Sequence, residues 1–390
     1  MNIKKKNIGI AGDEWIWVYD CEKGRLSPVK VTSLYDRFLT NRYMALAYDA
    51  KNNIVRRAMI KSMTRLRHMR LYFKQMRDGR RIKAGRDELL YVYNPGEGPS
   101  LRQLVGTRPT GRYIVPRRFD IADFDESDSF GYAFGGGVNE SMRLSDDLCY
   151  LLGVFGAVVK RQGETMSIRI PAVADKVATF ENVRALFKMF GEDIEFAKSK
   201  NGNRIICDID VIRLMDEICS GITNHTSVPF FILSGTQEMQ YAWLSGYLKT
   251  KLNSKNCYFN VGARDKTIYG IRLLLIMRNV TMRIRNRDKA MTKVYVGAHH
   301  SDDFNIKKYV GVDDLHPVRK RSLKEPDGLR LSFVTNMGKD EEGDSFLIDV
   351  DKYKNFVTAD LFVVHEDVAA IQAKIEAANT YKYANLYIMR

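Results

Sequence analysis

The chain has 390 residues, with 62 Lys and Arg against 47 Asp and Glu, a formal charge of +15. Apolar residues at 45% and charged residues at 28% exclude a largely disordered chain, and no apolar run reaches the roughly 18 residues a membrane-spanning helix needs. Five cysteines with no CxxC pair argue against a disulfide framework or zinc knuckle and for reduced thiols in a cytosol-like compartment. At roughly 100–200 residues per domain, the length gives two or three domains. The start, Met1 to Asn7, is basic but too poor in apolar residues for a secretory signal. The cationic excess points to an anionic partner, nucleic acid before an acidic protein or a membrane surface.

Residues 8–118 read as β-rich. Short β-prone runs at Trp15 to Tyr19, Val29 to Val31, Tyr43 to Tyr48, Met69 to Lys74 and Leu89 to Tyr93 lie between turn signals. Within them runs a basic stretch, Arg56 to Arg86, with twelve Lys and Arg against Asp78 alone. The acidic, glycine-rich segment from Asp120 to Asn139, with the triplet Gly135 to Gly137, reads as a linker. A helix over Asp146 to Val159 follows, with Ser145 or Asp146 as N-cap. Met166, Ile168 and Ile170 alternate as in a half-buried strand. Next come a helix at Phe180 to Phe190 capped by Gly191, strands at Asp193 to Ala197 and Arg204 to Cys207 around a Lys200-Asn-Gly-Asn turn, and a helix at Asp210 to Cys219. After Pro229 the order recurs: a helix at Gln237 to Leu252, a strand at Tyr258 to Gly262, a helix at Thr267 to Arg278, and strands at Thr281 to Arg285 and Lys293 to Val296. A second linker covers His299 to Gly328. Short strands fill Gly328 to Val364, and an Ala-rich helix takes Val368 to Ala378. The recurrence is an internal α-β-β-α repeat of pseudo-symmetric, two-lobed type.

The two repeat-opening helices read Asp147-Leu-Cys-Tyr-Leu-Leu-Gly-Val-Phe-Gly-Ala-Val-Val159 and Tyr241-Ala-Trp-Leu-Ser-Gly-Tyr-Leu-Lys-Thr-Lys-Leu252. Both resemble the helix that names the LAGLIDADG homing endonucleases, with Gly153 and Gly246 at the close-contact glycine. Ser227-Val-Pro-Phe-Phe-Ile resembles the segment before that family's second motif. The flanks resemble an intein, the Hint fold: Gly9-Ile-Ala-Gly-Asp-Glu-Trp, Ser27-Pro-Val-Lys-Val and Leu34-Tyr-Asp at its opening, and Gly79-Arg-Arg-Ile-Lys-Ala-Gly-Arg-Asp-Glu88 at the block that usually ends in Thr-x-x-His. Phe346-Leu-Ile-Asp-Val, Asn355-Phe and Leu361-Phe-Val-Val-His365 resemble its closing blocks. The resemblance implies an α+β chain: a split all-β Hint-like domain (1–122 and 328–366) holding a pseudo-twofold α/β LAGLIDADG-like domain (143–298). Its two αββα-type lobes, about 143–222 and 228–298, would carry saddle-shaped antiparallel sheets. Segments 123–142 and 299–327 would link them, and 367–390 would form a C-terminal helix and tail. The general build also resembles a shell-associated RNA-binding protein of nucleus-forming jumbo phages, which would place the chain in a host cytoplasm, at the phage nucleus.

At the reactive positions this chain departs from both families. Splicing needs a nucleophile where Gly9 stands, a Thr and a His where Gly85 and Glu88 stand, and a cyclising Asn where Glu366 stands. Lys354 and Asp367 replace two further polar groups, and His365 alone matches. Eight residues precede Gly9 and 24 follow Glu366, so no host protein to join is expected. The endonuclease family binds its metals through an acid near the C-terminal end of each motif helix. Val158 and Lys251 stand there, and neither can hold Mg²⁺, which takes carboxylate oxygens. Asp147 lies about 16 Å away along the helix. Glu238 is at the wrong end of the second helix, and Glu164 has no counterpart. Catalytic residues, metal sites and cofactors are therefore expected to be none, and His68, His225, His299, His300 and His316 show no ligand spacing.

Binding remains. The resemblance puts Arg169, Lys198, Lys200 and Arg204 of one lobe, and Arg264, Lys266, Arg283, Arg285, Arg287 and Lys293 of the other, on a nucleic-acid-facing surface. Arg283, Arg285 and Arg287 alternate with period two, placing three guanidiniums on one strand face, where they suit phosphates. Lys251 can neutralise a phosphate where a metal would otherwise sit. Arg65, Arg67, Arg70, Lys74, Arg80, Arg81 and Lys83 of the basic run form a second expected binding surface. Tyr258, Phe259 and Tyr269 are candidates for stacking on bases. The partner expected is nucleic acid, RNA slightly ahead of DNA, with no membrane. A residual metal-dependent endonuclease, a sequence-specific DNA-binding regulator and an adaptor for an acidic protein surface are the alternatives.

Overall fold

The computed structural model describes residues 7–105, 112–124, 128–134, 138–162, 165–170, 197–198, 204–206, 228–251, 258–262, 267–278, 280–285, 291–298 and 326–366. In the first 121 residues, turn residues cut β-branched and aromatic runs into β1 (Ile10–Ala11), β2 (Trp15–Asp20), β3 (Arg25–Lys30), β4 (Tyr43–Asp49), β5 (Ile54–Met76), β6 (Arg81–Gly85), β7 (Leu89–Asn94), β8 (Gly98–Gln103), β9 (Arg112–Pro116) and β10 (Arg118–Asp120), with a short helix at Val31–Arg37. Then come β11 (Ser129–Phe134), β12 (Val138–Arg143), the first repeat helix (Asp146–Val158), β13 (Val159–Gln162), β14 (Thr165–Ile170), β15 (Ala197–Lys198) and β16 (Arg204–Ile206). A helical turn at Phe230–Leu233 and the second repeat helix (Gln237–Lys251) precede β17 (Tyr258–Gly262), a helix at Thr267–Met277, β18 (Val280–Arg285) and β19 (Met291–Ala298). The chain closes with β20 (Leu329–Val350), β21 (Asn355–Val357) and β22 (Val363–His365). It packs as two compact units, 1–121 with 323–390, and 122–322.

The first unit is one 13-stranded, mostly antiparallel sheet in the order β21-β22-β7-β9-β20-β1-β6-β5-β4-β2-β3, with β8 on β7 and β10 on β5. Two of its strands are much longer than the short runs expected. β5 continues for 23 residues because no Gly or Pro interrupts it, and it pairs in turn with β4, β20 and β6. β20 runs for 22 residues despite its two glycines, with register shifts that include those between Lys339 and Glu342 and between Gly343 and Ser345. Side chains from distant segments, Trp17, Tyr48, Tyr113, Phe346, Phe356 and Phe362, fill the core and are fully buried.

In the second unit, both repeat helices start on a hydroxyl cap. The Leu148 N–H donates to Ser145 Oγ at 3.3 Å and the Met239 N–H to Thr236 Oγ1 at 3.4 Å. Of the two cap candidates before the first helix, Ser145 is the one used. The helices cross at Gly153 and Gly246. A Cβ on Gly153 would stand 2.1 Å from the Trp243 carbonyl oxygen and 2.9 Å from the Tyr247 nitrogen; one on Gly246 would stand 2.0 Å from the Tyr150 carbonyl oxygen and 2.9 Å from the Val154 nitrogen. Each glycine thus meets the residues three before and one after its counterpart, the reciprocity of a twofold axis. A four-stranded sheet, β13-β14-β16-β15, accompanies the first repeat and a three-stranded sheet, β17-β19-β18, the second.

The segment 123–142 is not a plain linker. β11 and β12 make a hairpin in it, pairing Phe130 with Met142, Tyr132 with Glu140 and Phe134 with Val138. Its glycines and acids mask a period-two run of aromatics, and that alternation decides the structure. The helices expected at Phe180 to Phe190, Asp210 to Cys219 and Val368 to Ala378, most of the strand at Asp193 to Ala197, and nearly all of the 299–327 segment lie outside the described residues.

Gly153→Ala and Gly246→Ala each force a methyl into a backbone carbonyl, an overpacking defect of about 1–3 kcal/mol or more. Urea denaturation followed by tryptophan fluorescence is expected to show the loss, Trp243 lying in the contact itself.

Candidate nucleic-acid interface

Four of the positions at which the chain departs from the splicing families converge in the first unit. The Gly85 N–H donates to the Gly9 carbonyl at 2.8 Å, and the Glu88 N–H to the Gly85 carbonyl at 3.2 Å. The Gly9 N–H in turn donates to the Glu88 carboxylate. Glu366 closes the group: its own N–H donates to the Lys354 carbonyl at 2.9 Å, and its carboxylate accepts the Ile348 N–H. Glu88 and Glu366 are 2% and 1% exposed. Burial pushes the Glu88 carboxyl up to about 7. Burial, then the nearby Glu88 and Asp349, push Glu366 well above the usual range. Lys354 Nζ lies 3.4 Å from Asp349. The group offers two glycines and two protonatable acids. It has neither a hydroxyl or thiol at Gly9 nor an amide at Glu366.

In the second unit, Val158 and Lys251 are each the last residue of a repeat helix. Lys251 is half-buried, its Nζ 5.4 Å from the Tyr247 ring centre. Asp147 and Glu238 are exposed at the opposite, N-terminal ends.

Two members of the basic run are corrected, Lys74 and Arg80. Lys74 is buried, its amine donating to the Tyr113 hydroxyl and lying 4.7 Å from that ring; burial pushes its pKa down to about 8. Arg80 is also buried, held by Asp78 at 2.9 Å and by the Leu361 carbonyl at 3.2 Å. Neither reaches solvent, so neither belongs to a binding surface. Arg81 and Lys83 lie 3.4 and 3.2 Å from Asp340, and Arg65 is paired with Asp344. The acids come from β20, which lies beside β5 in the sheet but some 260–280 residues away in sequence. Arg67 and Arg70 are exposed, with no acidic partner among the described residues.

The three-stranded sheet carries the cations outward. Phe259, Val261, Val280, Met282, Ile284, Thr292, Val294 and Val296 are buried on one face. The intervening residues fall on the other: register puts Tyr258, Tyr295 and Arg283 in one row and Asn260, Lys293 and Arg285 in the next. Arg283, Arg285 and Asn260 are exposed, and Tyr258, Tyr295 and Lys293 half-exposed. The Arg285 guanidinium sits 5.1 Å from the Tyr295 ring centre, and Lys293 Nζ 5.0 Å from that of Tyr258. The two rings are 5.5 Å apart and tilted by 41°. Of the three stacking candidates, Tyr258 is on this face, Phe259 is in the core and Tyr269 is half-buried on a helix. Tyr295 was not among them, although its spacing of two from Lys293 marks it for the same face. Arg264, Lys266 and Arg287 lie outside the described residues, as does Lys200.

The first-lobe set is divided. Lys198 pairs with Arg204 and Arg204 with Ile170, on one face, whereas Arg169 pairs with Ile205 on the other. These positions therefore do not share one row, because Arg169 and Arg204 differ by one step of the pleat.

No protein-family model and no curated protein matches the chain. Among solved structures it is similar to a variant of the Ssp DnaB mini-intein, at 9% identity over 93% of this chain and 99% of that one, with a TM-score of 0.33. It is similar to a DnaB intein from Synechocystis sp. PCC 6803, at 19% identity over 28% of this chain and 70% of that one, with a TM-score of 0.23. It is similar also to variants of the homing endonuclease I-DmoI, at 11% identity over 40% of this chain and 84% of that one, with a TM-score of 0.30. The resemblance to a phage shell-associated protein gains no support from these structures.

The buried acid pair sets a pH dependence. Folded Glu88 keeps a proton that the unfolded chain releases near pH 4.5, so its contribution to stability is full below that and is lost as pH rises towards about 7. The loss is about 3 kcal/mol. Urea midpoints taken across this window are expected to fall with pH for the native chain and much less for Glu88→Gln, whose amide oxygen still accepts the Gly9 N–H. An unchanged slope in the variant would place the titrating group elsewhere.

Proposed function

We propose that the protein is a non-catalytic nucleic-acid-binding protein, RNA ahead of DNA, acting in a cytosol-like compartment. The observation that carries this is the outer face of β17-β19-β18, where Arg283, Arg285 and Lys293 stand in register beside two tyrosines over a buried, mainly apolar underside. Guanidinium and ammonium groups fixed on a rigid sheet neutralise phosphates and release counterions, which gives affinity without a sequence code. RNA is placed first because stacking on unpaired bases is its usual mode of recognition. Support for the loss of cleavage comes from the helix ends. Val158 offers no ligand atom, and Lys251 brings a charge that repels a divalent cation yet attracts a phosphate. Support for the loss of splicing comes from Gly9 and Glu366, neither of which supplies the nucleophile or the amide the chemistry needs.

The test is fluorescence anisotropy with a labelled RNA over a range of salt. Steep weakening with salt is expected. Arg283→Glu with Arg285→Glu should cost about tenfold or more in affinity and flatten the salt slope by about 1–2. Lys251→Glu should weaken binding more than Lys339→Glu, which changes an exposed cation of β20. Lys74→Met should leave affinity unchanged, its amine being internal. Nicking of a plasmid in magnesium would overturn the proposal, as would indifference to polynucleotides at low salt.

A further inference from the structure

The two lobes of the second unit share a helix contact but not a charge. Residues 143–222 hold 11 Lys and Arg against 12 Asp and Glu, a balance of −1; residues 228–298 hold 12 against 3, a balance of +9. Their sheets differ in the same sense. The described strands β13 to β16 contain no aromatic residue, and register splits their cations between faces. β17 to β19 gather theirs on one face with Tyr258 and Tyr295. A duplex laid across a twofold saddle would need comparable cations from both lobes.

We propose that the second lobe alone holds the ligand, and that the ligand is an unpaired polynucleotide strand, its bases stacked on Tyr258 and Tyr295 and its phosphates held by Arg283, Arg285 and Lys293. The proposal rests on the nucleic-acid reading above and narrows it. In a duplex each base is covered on both faces by its neighbours, so rings on a protein surface find no π-face to meet; an unpaired strand offers one at every nucleotide. Two rings on adjacent strands, each with a cation beside it, present a base surface and a phosphate partner as a unit, twice over. One lobe then suffices, and its nearly neutral twin exerts no comparable attraction on the backbone.

The experiment is anisotropy on the full chain with three probes: an oligouridylate and an oligothymidylate of about 16 nucleotides, and a duplex of the same length. Both single strands are expected to bind more tightly than the duplex. Tyr258→Leu with Tyr295→Leu should weaken single-strand binding about tenfold or more and leave the duplex unaffected. Tyr258→Phe with Tyr295→Phe, which keeps the rings, should restore it, separating stacking from a folding defect. Lys160→Glu with Arg161→Glu, in the first lobe, should change affinity by less than about twofold, unlike Arg283→Glu with Arg285→Glu. A duplex bound as tightly as the single strands would overturn this inference and leave the nucleic-acid reading standing. So would equal losses from the leucine pair on all probes, or equal losses from the two lobes. Failure of the native chain to bind any probe would remove both.

Discussion

Two helices touching through bare backbone fix the second unit. With carbonyl oxygens 2.0–2.1 Å from where a side chain would begin, the crossing leaves no room for any residue but glycine at either position. That contact forces the paired helices into reciprocal register, and everything attached to them inherits it. The caps at Ser145 and Thr236 start the helices, and Val158 and Lys251 end them. Each sheet then follows its own helix in the chain. Symmetry of backbone is a packing requirement here, enforced by sterics. Symmetry of charge is not, since a solvent-facing strand position can change sign at little cost to packing. The second unit has the first and not the second.

The same separation of scaffold from chemistry holds in the first unit. Gly9, Gly85, Glu88 and Glu366 come from three distant stretches of chain and still meet, because strand pairing brings them together: β1 with β6 and β20, and β22 with β7. What meets there is a set of groups that hydrogen-bond to backbone amides. Glu88 holds the entry to β1 through the Gly9 amide, and Glu366 holds β20 through the Ile348 amide. Two acids buried side by side are tolerable only while protons neutralise them. The site therefore ties strands together most firmly in acid.

Much of this was legible in the sequence, and the exceptions share a cause. The repeat helices and the strands of the second lobe follow from local periodicity and caps, which are decided within a few residues, whereas the two close-contact glycines were marked by the resemblance of those helices to a known motif. The alternation at Arg283 and Arg285 located the exposed face for the same reason. The length of β5, the hairpin at 129–143 and the fate of the basic run were not legible. A run of twelve cations looks like a surface until its neighbours are known, and those are Asp340, Asp344 and the Leu361 carbonyl, far along the chain. Lys74 illustrates the limit: it is flanked by Phe73 and Gln75 on an ordinary strand, and only the closing of the sheet over Tyr113 makes it internal.

Density of charge in sequence is thus a poor guide to a binding face, and orientation is a better one. The Arg56 to Arg86 stretch is the most cationic of the chain, yet acids of β20 and Asp13, Asp49, Asp78, Asp120 and Asp351 meet half of its cations. An ion pair already satisfied must be broken before its cation can take a phosphate, and the gain is then the difference between two similar interactions. The β17-β19-β18 face spends its cations differently. Arg285 and Lys293 lie against tyrosine rings, which steady a cation without cancelling its charge. Such a cation remains available in full to an anion, and the ring beside it adds an apolar surface that an acid could not. A modest number of charges held against rings can therefore grip a polynucleotide where a larger number held against carboxylates cannot.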